Sequence, residues 1–194
     1  MGAPVNAASR EPLAGPRLTG FVSLLLVGMV GLLLASTGWS ADGLRLVVRA
    51  TARTSLALFL LVFVASALRR RWPTATTRWV LMNRRYLGLS FAASHGLHLL
   101  ALIALGTSFP AIFAARVHAA TLLVGGLGFV VVAALAATSS DRAVRWLGAR
   151  RWSRLHTAGV YYLWGVFTLT YGARNLPCTL LLVAALALRL GTRR

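Results

Sequence analysis

The sequence contains no lysine, a single cysteine and only three acidic residues among 194. The lone thiol, Cys178, excludes an intramolecular disulfide and any zinc or redox motif built on paired cysteines. The acids, Glu11, Asp42 and Asp141, lie outside the long apolar segments, which argues against a proton-coupled carrier with carboxylates in its transport path. No glycine-rich dinucleotide fingerprint occurs, so no flavin or nicotinamide domain is expected within these residues.

The composition is strongly apolar and strongly basic at once. Hydrophobic residues make up 58% of the chain and the mean hydropathy is +0.73, which is too apolar for one soluble domain. All 21 basic residues are arginines, and the net charge is +18. These arginines lie between apolar segments rather than on a polar domain, which argues against nucleic-acid binding. We therefore expect an integral membrane protein whose partner is the lipid bilayer and not a nucleic acid.

Apolar segments recur along the chain at lengths that suit a bilayer core, which takes about 17 to 25 helical residues to cross. They predict an all-α bundle of six transmembrane helices with approximate bounds 18–38, 48–68, 86–107, 111–138, 155–171 and 176–190. Residues 18–190 are expected to form one domain, between a disordered cytoplasmic tail at 1–17 and a basic tail at 191–194.

The arginines also predict the orientation of this bundle. With the N-terminus inside, 16 of the 21 arginines fall on the cytoplasmic side, as the retention of positive residues there requires. Both termini are then cytoplasmic. The use of arginine without lysine, with abundant Ala, Leu and Gly, suits a GC-rich bacterial genome and hence the bacterial inner (plasma) membrane.

The four histidines, His95, His98, His118 and His156, all lie in or at the edges of apolar segments. A histidine in a bilayer is costly and suggests a functional site. His95 and His98 share one face of the third helix near mid-membrane or above it. His118 is expected in the outer third at a depth close to that of His98, and His156 near the cytoplasm, so the four histidines are predicted to lie at two levels. Imidazoles without nearby carboxylates or thiolates favour haem iron over zinc or a di-iron centre. The competing interpretation for His118 and His156 is that they simply sit at the lipid interface.

Two blocks of residues resemble a known family. Residues 84–91 (RRYLGLSF) followed by 94–98 (SHGLH) are similar to the start of the third helix in the ferric reductase-like transmembrane domain family. Residues 137–156, with their Thr-Ser helix end, Arg-x-Leu-Gly loop and Trp-x-x-Leu-His motif, resemble the approach to its fifth helix. The likeness covers roughly residues 20–190, and the family includes the haem-binding membrane subunit of the bacterial methionine sulfoxide reductase system.

The resemblance implies b-type haem held between the third and fifth helices and electron transfer across the membrane. His98 and His156 match the family's histidine ligands on those helices by their place in the two blocks. The sulfoxide reductase subunit has a further histidine 13 residues beyond the second of these, where this chain has Leu169. Because leucine cannot ligate iron, the outer haem would lose a ligand, recruit His118 or be absent, and the haem b content is one or two.

Two different pairs of histidines are candidates for the axial ligands of an inner haem. Depth along the helices favours His95 with His156 for an inner haem, whereas family position favours His98 with His156. His98, His156 and His95 are therefore all candidate ligands of haem iron, and His118 ranks behind them.

Arginines near the membrane surfaces are candidates to bind the anionic haem propionates. Arg84 and Arg85 lie on the predicted cytoplasmic side, and Arg49 and Arg53 lie in the opening turns of the second helix on the other side. The competing interpretation of the first pair is that they only anchor the helix at the lipid surface.

The predicted function is the transmembrane component of an oxidoreductase. Electrons would come from a separate cytoplasmic flavoprotein or from quinone, and would pass to an outer acceptor such as ferric iron or a partner reductase in the periplasm. Two alternatives remain open: a haem-free member of the family that serves as a membrane scaffold, and a small metal-ion or solute transporter.

Overall fold

The computed structural model describes residues 13–172 and 175–192, and within these ranges the chain is helical, with no strand. Six helices are long: α1 (Pro16–Thr37), α2 (Ala41–Arg71), α4 (Arg84–Ser108), α6 (Ala119–Ala137), α8 (Ala149–Gly172) and α9 (Leu176–Gly191). Three are short: α3 (Ala75–Met82), α5 (Pro110–Ala114) and α7 (Asp141–Leu147). The prediction of an all-α protein is confirmed.

Four helices, α1, α2, α4 and α6, are long and apolar enough to cross a membrane. Large apolar side chains such as Leu24 of α1 and Leu123 of α6 are 70% and 75% exposed, as expected for surfaces that face lipid. The protein is a multi-pass membrane protein. Six spans remain a prediction, because α9 rises only about 24 Å over its length and α8 begins with several arginines.

Short-range signals explain where the helices begin and end. The Ser40 and Ser140 hydroxyls accept hydrogen bonds from the backbone N–H of Gly43 (3.0 Å) and Ala143 (3.1 Å), which caps α2 and α7. Gly148 adopts φ 77°, a conformation that favours glycine, and turns the chain from α7 into α8. This turn sets the direction in which α8 carries His156.

The long helices alternate in direction, so the bundle has two ends. At the end that we call the basic end, Arg70 donates to Thr192 Oγ1 (3.2 Å) and Arg85 pairs with Asp141 (3.2 Å). At the opposite end, Trp39 donates to Ser108 Oγ (3.1 Å). Arginine-rich connections therefore meet at one end of the molecule.

Two kinds of packing hold α2, α4 and α8 together. Phe59 lies at the centre of an aromatic core, with ring centroids 5.6 Å from Phe91 and 5.1 Å from Phe167, and burial of such rings dominates packing energy. Small hydroxyl residues fill the α2–α4 contact, where the Ser94 hydroxyl lies 2.9 Å from that of Ser55 and both residues are fully buried. Small residues let two helix backbones approach closely.

Several predicted bounds differ from those in the structure. The fourth predicted helix is divided into α5 and α6, and His118 is the exposed residue that precedes α6 rather than part of a helix. The second predicted helix begins earlier, at Ala41, because Ser40 caps it and Asp42 interacts favourably with its dipole. Arg49 and Arg53 consequently lie in its third and fourth turns rather than at its start.

The predicted tails are only partly covered by the structure. Residues 1–12 and 193–194 lie outside the described residues. Of the remainder, Pro16 and Arg17 belong to α1, and the Gly15 N–H donates to Asn83 Oδ1 (2.9 Å).

Candidate functional site

A cavity of about 470 Å³ opens at the basic end of the bundle. Its volume lies within the range of about 300 to 1,000 Å³ that is typical of ligand and cofactor sites. Its apolar walls include Phe59, Phe91, Val132, Leu135 and Leu163, and its polar groups include Arg84, Arg85, Asp141, His156 and Arg189. The cavity therefore combines an apolar body with one imidazole and several guanidinium groups.

His156 lies on α8 in the wall of this cavity. Its imidazole stacks on Trp152 with ring centroids 4.2 Å apart, and its Nε2 lies 3.0 Å from Thr138 Oγ1. The Thr138 hydroxyl donates to Ala134 O (2.6 Å), so its oxygen accepts from the imidazole and His156 Nε2 carries a proton. To bind a metal through Nε2, His156 must release Thr138 and that proton.

His98 is held by α2 through its Nδ1, whereas His156 is held through its Nε2. Its Nδ1 lies 3.1 Å from the carbonyl oxygen of Val48 and 3.1 Å from Thr51 Oγ1. Because a carbonyl oxygen can only accept, Nδ1 carries the proton and donates. The lone pair is then on Nε2, which is the state that ligates a metal.

His95 lies one turn before His98 and has a different environment. Its Nδ1 is buried and has no hydrogen-bond partner within the part of the chain that the structure describes. Aromatic rings surround it, with centroids at 4.6 Å for Phe129, 5.4 Å for Phe91 and 6.1 Å for Phe167. A buried polar atom left unpaired costs about 1 to 3 kcal/mol, which makes this nitrogen a candidate for ligand contact.

The histidines occupy three levels along the bundle, and the prediction that His118 lies at a depth close to that of His98 is wrong. His95 and His98 are adjacent, with ring centroids 5.6 Å apart. His95 also contacts Phe167 of α8, which follows His156 by eleven residues, a rise of about 16 Å. Similarly, Phe129 contacts His95 and follows His118 by eleven residues. The structure therefore brings His95 and His98 together but places neither beside His156 or His118.

A metal site with many protein ligands finds no support in this arrangement. Among residues 13–172 and 175–192, no three side chains of His, Cys, Asp or Glu come together as a group that could hold a metal ion.

A comparison with known proteins finds relatives of this chain. No family model matches the chain, and no solved structure matches it. It is 34% identical over 144 residues to the protein-methionine-sulfoxide reductase heme-binding subunit MsrQ of Yersinia pseudotuberculosis serotype O:1b, covering 69% of each chain. The chain belongs to the MsrQ family. It is also 29% identical over 184 residues to MsrQ of Ralstonia nicotianae, covering 91% of this chain and 80% of that one, and 38% identical over 96 residues to MsrQ of Azospira oryzae.

Membership of the MsrQ family confirms the resemblance to the sulfoxide reductase membrane subunit. The two blocks that carried it now have structural places: the first opens α4, and the second runs from the end of α6 through α7 into α8. In the second block, Trp152 and Thr138 both contact His156. They also contact each other, since Trp152 Nε1 donates to Thr138 O (2.8 Å).

The four arginines predicted to bind the haem propionates differ in their position relative to the cavity. Arg84 and Arg85 line the cavity, whereas Arg49 and Arg53 are exposed on α2 and are not among its lining residues. Arg85 pairs with Asp141, while Arg84 donates from Nε to Val62 O (3.1 Å) and from Nη1 to Ser66 Oγ (3.4 Å).

Sequence reasoning missed one charged cavity residue and the partners of the histidines. Arg189, in the last turn of α9, reaches the cavity and donates to Phe63 O (2.6 Å). In the sequence it has the position of an ordinary cytoplasmic anchor. Thr51 gave no signal, because threonine is common in transmembrane helices, and Thr138 belonged to the second motif block without any indication that it contacts His156.

Proposed function

We propose that this chain is the membrane haem-binding subunit of an oxidoreductase system and relays electrons across the bilayer. The observation that carries the proposal is the cavity at the basic end, in which His156 faces apolar walls beside guanidinium groups. An imidazole to ligate iron, an apolar space for a porphyrin and cations for its carboxylates form a donor set that fits haem. The names of the MsrQ relatives support the same cofactor.

His156 is the proposed iron ligand in the cavity. His98, with its lone pair on Nε2, and His95, with its unpaired Nδ1, are the proposed ligands at the level of Phe129. Haem supplies reversible one-electron chemistry at its iron. The residues of the chain orient the imidazoles and exclude water. The haem b content is one or two, and Leu169, which is 74% exposed, contributes no ligand to either level.

The proposed topology has six spans with both termini in the cytoplasm of a bacterium and the bundle in its inner membrane. Support comes from the alternating direction of the six long helices and from the arginines gathered at the basic end. The basic end then faces the cytoplasm, and the end with Trp39 faces outward.

This orientation gives the end of the bundle at which the electron donor and the electron acceptor would each act. A separate cytoplasmic flavoprotein, or quinone, is the proposed donor at the basic end. The outer acceptor is a partner reductase in the periplasm or ferric iron. The relatives' name describes a subunit of a reductase for oxidised methionine in proteins, which favours the partner reductase.

The test is a dithionite-reduced minus oxidised absorption spectrum of the detergent-purified protein, with haem quantified per chain. We expect a b-type signal that falls in His156→Ala and His98→Ala and persists in His118→Ala, the matched control. No haem in protein produced with an ample haem supply would contradict the proposal.

One observation favours a second candidate function, that of a haem-free membrane scaffold. Two imidazoles on one iron must lie on opposite sides of it, and the structure pairs no two histidines from different helices. A folded protein without a haem signal would favour the scaffold. Among the described residues no three metal-binding side chains come together, so no observation favours a metal-ion transporter.

A further inference from the structure

Two arginines that are far apart in the sequence meet at the basic end of the cavity. Arg84 is the first residue of α4, and Arg189 lies in the last turn of α9. Their guanidinium groups donate to carbonyl oxygens of adjacent residues on α2: Arg84 Nε to Val62 O (3.1 Å) and Arg189 Nη1 to Phe63 O (2.6 Å). Both side chains line the cavity and both residues are half-buried. Two positive charges are therefore held side by side.

Neither charge is neutralised by an acid in the part of the chain that the structure describes. Its two ion pairs join Arg45 to Asp42 and Arg85 to Asp141, and the third acid, Glu11, lies outside the described residues. Two like charges in a partly desolvated site repel each other, so an anion between them is favoured.

The geometry also leaves hydrogen-bond donors available. A guanidinium has five N–H donors, and the hydrogen bonds described above use two nitrogens of Arg84 and one of Arg189. Arg189 is further fixed by stacking, with its guanidinium carbon 4.5 Å from the centroid of the Phe63 ring and 5.2 Å from that of Tyr161. A guanidinium that is held in place in this way loses little entropy when it binds a carboxylate in bidentate fashion.

We propose that Arg84 and Arg189 form an anion-binding site that holds the two carboxylates of the haem at the basic end of the cavity. The inference rests on the proposed function and deepens it. It replaces Arg85, which is paired with Asp141, by Arg189 as the second arginine of the site. Phe59, Phe91 and the α8 wall that carries His156 would line the apolar space for the porphyrin beside this pair.

The test compares haem with haem dimethyl ester, in which both carboxylates are esterified and uncharged. Full-length protein produced without haem is titrated with each in detergent, and binding is followed by absorbance. We expect the wild type to bind haem at least about tenfold more tightly than the ester, since a charged hydrogen bond contributes about 1.5 kcal/mol or more. This comparison changes only the ligand and needs no variant to fold.

Four variants locate the site. Arg84→Gln and Arg189→Gln are expected to weaken haem binding by about tenfold and to leave ester binding unchanged. Arg70→Gln, at the same end but bonded to Thr192, is the matched control and should bind both ligands as the wild type does. A loss in Arg85→Gln that equals the loss in Arg189→Gln would overturn the assignment.

The outcomes separate this inference from the proposed function. Equal binding of haem and ester by the wild type overturns the anion site and leaves the haem function standing. Binding of neither ligand overturns both. A third outcome is that the arginine variants bind haem normally but lose phosphatidylglycerol that copurifies with the wild type. A lipid phosphate would then occupy the site, and the assignment to haem would be wrong.

Discussion

Single hydrogen bonds decide which nitrogen each histidine can offer to a ligand. His98 donates from Nδ1 to α2 and keeps a lone pair on Nε2, whereas His156 uses Nε2 for its bond to Thr138. Partners of this kind orient a ligating imidazole, and their loss commonly lowers metal affinity. The two histidines therefore respond to removal of their threonine partners in opposite directions.

Thr51→Val removes the hydroxyl that accepts from His98 and leaves Val48 O as the remaining acceptor. We expect haem affinity at the His98 level to fall by about tenfold, the lower end of the effect of such partners, as measured by haem titration and the b-type spectrum. Thr54→Val is the matched control because Thr54 bonds Ser94 and the backbone rather than a histidine. Equal losses in both variants would contradict a role through His98.

Thr138→Val frees the His156 imidazole. Since haem binding through Nε2 of His156 must break the bond between that nitrogen and Thr138, removal of the bond should tighten such binding in the cavity by about two- to tenfold, the equivalent of one hydrogen bond. Equilibrium titration of the haem-free protein measures this. Thr168→Val, whose hydroxyl bonds only Trp164 O, is the control. Weaker binding in Thr138→Val would mean that Thr138 supports ligation instead.

The contact between α6 and α8 depends on a glycine. Gly159 of α8 is buried, and a Cβ built there would lie 3.0 Å from Leu135 Cδ2 and 3.2 Å from Val131 Cγ1 on α6. The absence of a side chain lets the two helices approach closely. This approach brings Thr138, which follows the last residue of α6, to His156 of α8.

Gly159→Val should push α6 and α8 apart. We expect the free energy of unfolding in an SDS titration to fall by about 1 to 3 kcal/mol, the usual cost of overpacking. Gly165→Val on the same helix is the control, since a Cβ at Gly165 meets no atom within 4 Å. If both variants lose the same stability, the helix propensity of glycine and not the close contact is responsible.

The two ends of the whole molecule differ in their content of arginine. Connections at the basic end carry Arg70, Arg85 and their neighbours, whereas Trp39 and Ser108 close the opposite end. In a membrane this asymmetry sets the orientation of the chain.

Orientation is tested by labelling single cysteines in intact cells of a Cys178→Ser background. Ser40→Cys, at the end that bears Trp39, should react with a membrane-impermeant maleimide at once. Thr192→Cys, at the basic end, should react only after the membrane is opened. The reverse pattern would place the basic end outside and contradict the proposed topology.

The membrane class, the helical content and the approximate positions of the six long helices could be predicted from the sequence, because apolar segment length and helix caps act locally. The two motif blocks also identified the family correctly. The break between α5 and α6 and the early start of α2 were missed, since they depend on weak signals at helix ends.

The composition and order of the residues alone determined that this chain enters a membrane and that its arginines collect at one side. They also determined that histidine is the metal-ligating residue type gathered in and beside its apolar segments. Only the tertiary structure decided that the histidines lie at three levels, that Thr51 and Thr138 hold two of them, and that Arg189 joins Arg84. The reason is physical: hydropathy acts on each segment separately, whereas these contacts depend on the depth and rotation at which two helices pack.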